Sequence, residues 1–233
     1  MDELITALRN GLVVSCQAYP GEPLRHPETM AQMAEAVVAG GAVAIRAQGL
    51  SDISFIKGRT EVPLIGLWKD GHEGVFITPT LRHARAVRDA GADIVALDGT
   101  RRPRPDGLTV AATIHQLRQD KPTVVMADCG SLDDAIAARD AGADLIGTTL
   151  AGYTGERPRT DGPDLELLAQ IVDHVRDVPV VAEGRFHTPA QAAAALRAGA
   201  HAVVVGTAIT HPTTITGWFK AAISGAELFV GHE

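Results

Sequence analysis

At 233 residues, 45% of them hydrophobic and only 4% aromatic, the chain is long enough for one large domain with an ample core. A net charge of -7 with no long basic run argues against nucleic-acid binding, and no apolar run is long enough to span a bilayer. Cys16 and Cys129 form no close motif, and the start of the chain lacks a basic segment before an apolar run, so reduced thiols and a cytoplasmic location are expected.

Short, often β-branched apolar runs predict strands at 12–15, 42–45, 64–67, 94–97, 123–126, 145–148, 180–182 and 202–205. Helical patterns lie between and after them, at 27–39, 51–57, 81–90, 108–119, 132–141, 165–175, 189–198 and 212–224. Pro189 and Pro212 suit helix starts, and Gly40, Gly91, Gly142 and Gly199 suit helix stops. Ala90-Gly-Ala-Asp-Ile-Val-Ala-Leu-Asp98, Ala141-Gly-Ala-Asp-Leu-Ile-Gly-Thr-Thr149 and Ala198-Gly-Ala-His-Ala-Val-Val-Val-Gly206 repeat one plan: helix stop, tight turn, buried strand. Eight βα units predict a single α/β domain over 1–233, a (β/α)8 TIM barrel, with an open doubly wound sheet as the alternative. The first βα turn, Gln17-Ala-Tyr-Pro-Gly21, lacks the glycine fingerprint of a dinucleotide site.

Barrel enzymes carry their chemistry at the C-terminal ends of the strands. Here those ends offer Gln17, Arg46, Lys69, Asp98, Asp128, Thr149, Glu183 and Gly206. Of the lysines, Lys57 and Lys220 belong to helix patterns and Lys121 to a loop, so only Lys69 ends a buried strand. Partial burial lowers a lysine pKa and frees the amine to act as a base, whereas a lysine snorkelling from a strand end would do nothing of the kind. Glu183 is placed to hold that amine or to carry a second proton; otherwise it is a turn carboxylate paired with Arg185. Asp98 and Asp128 are candidates for binding hydroxyls. Two glycine-bearing turns follow the last two strands, Glu183-Gly184-Arg185 and Gly206-Thr207. Side by side, with helix starts behind them, their backbone N–H groups would form a phosphate cup. No two histidines stand close enough to resemble a metal-ligand motif. Arg101-Arg-Pro-Arg-Pro105 is either a loop that attracts anions or a solvated one.

These residues together resemble the N-acetylmannosamine-6-phosphate 2-epimerase family over nearly the whole chain. The likeness is carried by Val14-Ser-Cys-Gln-Ala18, Gly40-Gly-Ala-Val-Ala-Ile-Arg46, Pro63-Leu-Ile-Gly-Leu-Trp-Lys69, Ile77-Thr-Pro-Thr80 and Ala92-Asp-Ile-Val-Ala-Leu-Asp98. It continues through Met126-Ala-Asp128, Thr148-Thr-Leu-Ala-Gly-Tyr-Thr154, Ala182-Glu-Gly-Arg185 and Val205-Gly-Thr-Ala-Ile-Thr210. The resemblance implies a cytoplasmic, homodimeric (β/α)8 isomerase of amino-sugar and sialic-acid catabolism. It would interconvert the 6-phosphates of N-acetylmannosamine and N-acetylglucosamine, with no metal or redox cofactor. The family's catalytic lysine and glutamate match Lys69 and Glu183, and its substrate-binding residues match Gln17, Arg46 and Asp128. Backbone groups near Gly184, Arg185, Gly206 and Thr207 would anchor the phosphate. His211, expected beside the phosphate cup among the substrate-binding residues, departs from the pattern, because the family usually has arginine there. Two rival readings share the scaffold: a Schiff-base lyase with Lys69 as nucleophile, and a non-catalytic phosphosugar-binding barrel.

Overall fold

The computed structural model describes residues 2–225; Met1 and residues 226–233, the two ends of the span expected as one domain, lie outside the described residues. In order the chain forms α1 (Asp2–Ala7), β1 (Gly11–Cys16), α2 (Pro27–Ala39), β2 (Ala44–Gln48), α3 (Leu50–Lys57), β3 (Leu64–Leu67), α4 (Leu81–Asp89) and β4 (Ile94–Asp98). It continues with α5 (Val110–Asp120), β5 (Val124–Asp128), α6 (Leu132–Asp140), β6 (Leu145–Gly147) and α7 (Leu165–His174). The last elements are β7 (Val180–Glu183), α8 (Pro189–Arg197), β8 (Ala202–Val205), α9 (Thr207–Thr210) and α10 (Pro212–Gly225). Each strand pairs in parallel with the next, and β8 returns to β1 through Gly11↔Ala202 to Val14↔Val205. That last pairing closes the expected (β/α)8 barrel and removes the open-sheet alternative.

Local chemistry explains most boundaries. Thr80, Thr109, Ser131 and Asp164 each accept a backbone N–H from the first turn of the following helix, and Thr188 with Gln191 forms a reciprocal capping box. Gly91, Gly142 and Gly199 end α4, α6 and α8 with φ of +113°, +88° and +98°, a region costly for residues with a Cβ. After α2 the stop belongs to Gly41 (φ +99°), whereas Gly40, the expected stop, is still right-handed at φ -78°. The turn therefore consumes Ala42 and Val43, and β2 starts later than the apolar run suggests.

Alternation along the strands divides the apolar residues into two shells. Ile45, Ala47, Val95, Leu97, Val125 and Ala127 face the helices. Val13, Ala44, Ile65, Ile94, Ala96, Met126, Val181 and Val204 fill the barrel interior. Leu8, with Leu4 and Ile5 of α1, packs against this inner set, and His201 Nε2 meets the Ile5 carbonyl oxygen at 2.7 Å before β8. This closes the N-terminal end of the barrel, leaving the opposite end for a site.

Candidate active site

The alternation that puts Ala44 inside puts Arg46 inside one layer higher, and the same step carries β1 to Ser15, β5 to Asp128 and β7 to Glu183. At this C-terminal end lies a cavity of about 910 Å³, lined by Ser15, Gln17, Arg46, Lys69, Thr149 and Glu183 and by both glycine turns. Leu67, Phe76, Ile77 and Leu150 supply an apolar part of its wall.

Arg46 organises the floor. Its side chain is 1% exposed. Nη1 and Nη2 donate to Asp128 Oδ1 and Oδ2 at 3.2 and 2.6 Å, a fork-to-carboxylate geometry. Nη1 also lies 3.1 Å from Glu183 Oε2. Burial disfavours the guanidinium charge, but Asp128 and then Glu183 outweigh it and hold Arg46 above the usual arginine range. Thr149 Oγ1 also donates to Asp128 Oδ1, at 2.6 Å, and helps to fix the carboxylate. Among the described residues, Glu183 Oε2, despite its nearness to Arg46, has no aligned donor, and Arg46 Nε also lacks a hydrogen-bond partner. Buried groups left unpaired cost free energy unless something else binds them. Both belong to residues that line the cavity, where a ligand's polar atoms would sit.

Lys69 follows β3, and its Nζ donates to Gln17 Oε1 at 2.9 Å. The Tyr19 ring lies beside the amine, 5.3 Å from Nζ to centroid. Gln17 is fixed in turn, Nε2 donating to Ser15 Oγ at 2.9 Å. Burial, reinforced by the charge on Arg46, lowers the lysine pKa from its ordinary value; Glu183 and Asp128 oppose the shift without reversing it. Burial pushes the Glu183 carboxyl up to about 7, with Arg46 pulling it down and Asp128 pushing it further up. The cavity therefore holds an amine that gives up its proton more readily than usual and a carboxyl that keeps its proton longer than usual. This is the pattern of a proton-transfer site.

At the opposite wall, Gly184 (φ +113°) and Arg185 (φ +57°) turn the backbone after β7, while Gly206 leads into α9 after β8. Among the described residues, no protein acceptor takes the backbone N–H of Gly184, Arg185, Thr207 or Ala208. Converging free N–H groups form an anion-binding concavity.

The model of the family described as "Putative N-acetylmannosamine-6-phosphate epimerase" matches residues 30–225. The chain belongs to this family. A Cutibacterium acnes protein named "Putative N-acetylmannosamine-6-phosphate 2-epimerase" is 68% identical over 223 residues, covering 95% of this chain and 97% of that one. A Caldanaerobacter subterraneus protein of the same name is 49% identical over 224 residues, covering 95% and 94%. The solved N-acetylmannosamine-6-phosphate 2-epimerase from Clostridium perfringens superposes with a TM-score of 0.90 at 38% identity, covering 94% of this chain and 96% of that one.

In this epimerase-family chain Gln17, Arg46, Lys69, Glu183, Gly184, Arg185, Gly206, Thr207 and His211 all line one cavity. Asp128, expected among the substrate-binding residues, is fully buried and absent from the cavity lining; it reaches the site through its hydrogen bonds to Arg46 and Thr149 and through its charge on Lys69 and Glu183. Asp98 is likewise no hydroxyl ligand, since its carboxylate is taken by Thr100 and by Arg102 Nη2 at 2.7 Å. Glu183 is not the partner of Arg185. That guanidinium turns away to the carbonyls of Ala151 and Gly162 and to Thr160 Oγ1, leaving only the Arg185 backbone toward the cup. His211 stands at the cavity edge with both ring nitrogens occupied, Nδ1 by Thr214 Oγ1 at 2.5 Å and Nε2 by the Glu22 carboxylate. For His211 to reach a phosphate, Glu22 must first yield it. Among the described residues, no group of three or more His, Cys, Asp or Glu side chains is arranged to hold a metal ion.

Sequence reading missed Tyr19, Arg25, Arg159 and Thr210, which also line the cavity. Ser15 was findable, as the polar residue that ends the expected strand at 12–15. Arg25 and Arg159 lie deep in long loops, where strand periodicity says nothing about direction.

Proposed function

We propose that the chain interconverts N-acetylmannosamine 6-phosphate and N-acetylglucosamine 6-phosphate by moving the proton at C2. The observation that carries this reading is the amine of Lys69 and the carboxyl of Glu183 opening onto one cavity with pKa values driven toward each other. In the open-chain sugar, C2 adjoins an aldehyde, so its proton is acidic. Neutral Lys69 takes that proton and the C–H electron pair moves into an enolate, C2=C1–O⁻. Arg46 and Gln17 supply the positive charge and N–H donors that stabilise the developing oxygen charge. The protonated carboxyl of Glu183 returns a proton to the opposite face of C2, inverting it. Both groups are then reset by exchange with water. The backbone cup of Gly184, Arg185, Gly206 and Thr207 anchors the 6-phosphate and sets which carbon faces the amine.

The family membership and the full-length likeness to relatives named for this reaction support the substrate assignment. We take the whole chain as one catalytic domain, working in the cytoplasm as a homodimer without metal or redox cofactor. No helix among the described residues is long and apolar enough to cross a membrane. The dimer is supported by α10, in which no described side chain is fully buried and Phe219 and Ile223 are 68% and 71% exposed. Incubation of the purified chain with N-acetylmannosamine 6-phosphate, followed by NMR, tests the activity. Appearance of the C2 epimer is expected, and an unchanged substrate spectrum would overturn the reading.

A further inference from the structure

Lys69 lies beyond the last ladder residue of β3, so the barrel sheet alone does not fix it. Its backbone is held instead by an antiparallel bridge to Ile77, reinforced by Asp70 N–H donating to the Phe76 carbonyl at 3.0 Å. Thr78 stands at the base of this loop. It is fully buried and has φ +45°, which is unusual for a β-branched residue and concentrated at functional sites. Every polar atom of Thr78 is used. Its N–H donates to the Trp68 carbonyl at 2.7 Å, and its hydroxyl accepts from the Trp68 N–H at 3.1 Å. The hydroxyl also donates to the Ala96 carbonyl of β4 at 2.7 Å. Thr78 thus holds both backbone groups of the residue immediately before Lys69 and pins them to the neighbouring strand.

Arg104, only 6% exposed, completes the arrangement from the loop after β4. Nη2 donates to the Thr78 carbonyl at 2.7 Å and Nη1 to the Asp98 carbonyl at 2.8 Å. The Asp98 N–H in turn donates to the Ile77 carbonyl at 3.0 Å. No carboxylate takes a hydrogen bond from this guanidinium among the described residues, and burial lowers its pKa. Neither Thr78 nor Arg104 lines the cavity. A buried cation spent on two carbonyl oxygens is costly as mere packing.

We propose that Thr78 and Arg104 are positioning residues that brace the backbone presenting Lys69 to the substrate. The inference rests on the reading of Lys69 as the base at C2. Thr78→Val keeps the branched shape and removes the hydroxyl, Thr78→Ser keeps the hydroxyl, and Arg104→Met keeps the stem and removes the fork. Loose placement of a catalytic group costs turnover more than binding, so Thr78→Val and Arg104→Met are expected to lose about 10-fold or more in kcat with KM held within about twofold. Thr78→Ser should recover most of that loss. A second readout needs no sugar: the pH dependence of Lys69 acylation by acetic anhydride, read by mass spectrometry. As the amine escapes its buried setting, the pH at which it reacts should rise in Thr78→Val and Arg104→Met but not in Thr78→Ser.

Variants with lowered Tm but unchanged kcat and an unchanged acylation profile would overturn the proposal and leave the pair purely structural. Should Thr78→Val not fold, Arg104→Met decides, since it leaves the Thr78 hydrogen bonds to Trp68 and Ala96 in place. An inactive wild type would defeat the epimerase reading alone, and the acylation profiles would still decide on the brace.

Discussion

Glu183 keeps its proton up to about pH 7 because burial outweighs the pull of Arg46, while burial drives the Lys69 pKa downward. In the proposed mechanism the two work as an acid–base pair, and the working form carries one proton between them. Below about 7 both groups are protonated and no base is free. Above the lowered lysine pKa both are deprotonated and no acid remains. Plotted against pH, kcat/KM should therefore rise as the first proton leaves near 7 and fall again below 10.5, the ordinary lysine value. Glu183→Gln cannot ionise, so the lower limb near 7 should vanish from its profile, leaving a single rise at the lowered lysine pKa as Lys69 loses its proton and no fall above it. Its turnover should drop by at least about 10²-fold, the low end for losing an acid–base partner. Steady-state kinetics over pH measure both effects. A retained lower limb would assign it to another group, and near-wild-type turnover would reduce Glu183 to a turn residue.

Strand β3 carries Lys69 and depends on Gly66 for its seat among the helices. A Cβ at Gly66 would come within 2.6 Å of Ala92 Cβ and 3.0 Å of Ile53 Cδ1 and Val87 Cγ1. Ala92 Cβ is fixed to the backbone and has no rotamer with which to yield. Gly66→Ala should therefore destabilise by about 1–3 kcal/mol, the usual cost of overpacking, visible as a lower denaturation midpoint. An unchanged midpoint would mean that the strand and α4 part freely. The elements were largely legible in advance: 64–67 and 202–205 match β3 and β8, and 27–39 matches α2, because β-branched runs and proline or glycine punctuation are local signals. α1 and α9 were not, since helices of 6 and 4 residues lack a full amphipathic period. The site divided on the same physical line. Lys69 and Glu183 were visible as polar residues ending apolar runs. The burial of Asp128 behind Arg46 was not, because it depends on a contact between residues 82 positions apart. The capture of His211 by Glu22, 189 positions away, was equally hidden.

For the whole molecule, a net charge of -7 must coexist with the binding of an anionic sugar. The barrel offers a local answer: Gly184, Arg185, Gly206 and Thr207 of the proposed cup line the same cavity as Arg25 and Arg159. Binding energy from the phosphate then serves to orient C2, so its removal should depress kcat as well as raise KM. N-acetylmannosamine without phosphate is expected to lose at least about 10²-fold in kcat/KM by this reasoning, and equal values for the two sugars would refute the cup. Whole-chain mass in solution, measured by light scattering, should be twice the 24.4 kDa of one chain if α10 packs against a second copy. The central claim is that Lys69 removes the proton at C2, and solvent exchange tests it most directly. With N-acetylmannosamine 6-phosphate in heavy water, wild-type protein should place deuterium at C2 of the product, while folded Lys69→Ala should give neither product nor exchange. Deuterium incorporation by Lys69→Ala at the wild-type rate, or epimerisation by the wild type without deuterium at C2, would contradict it.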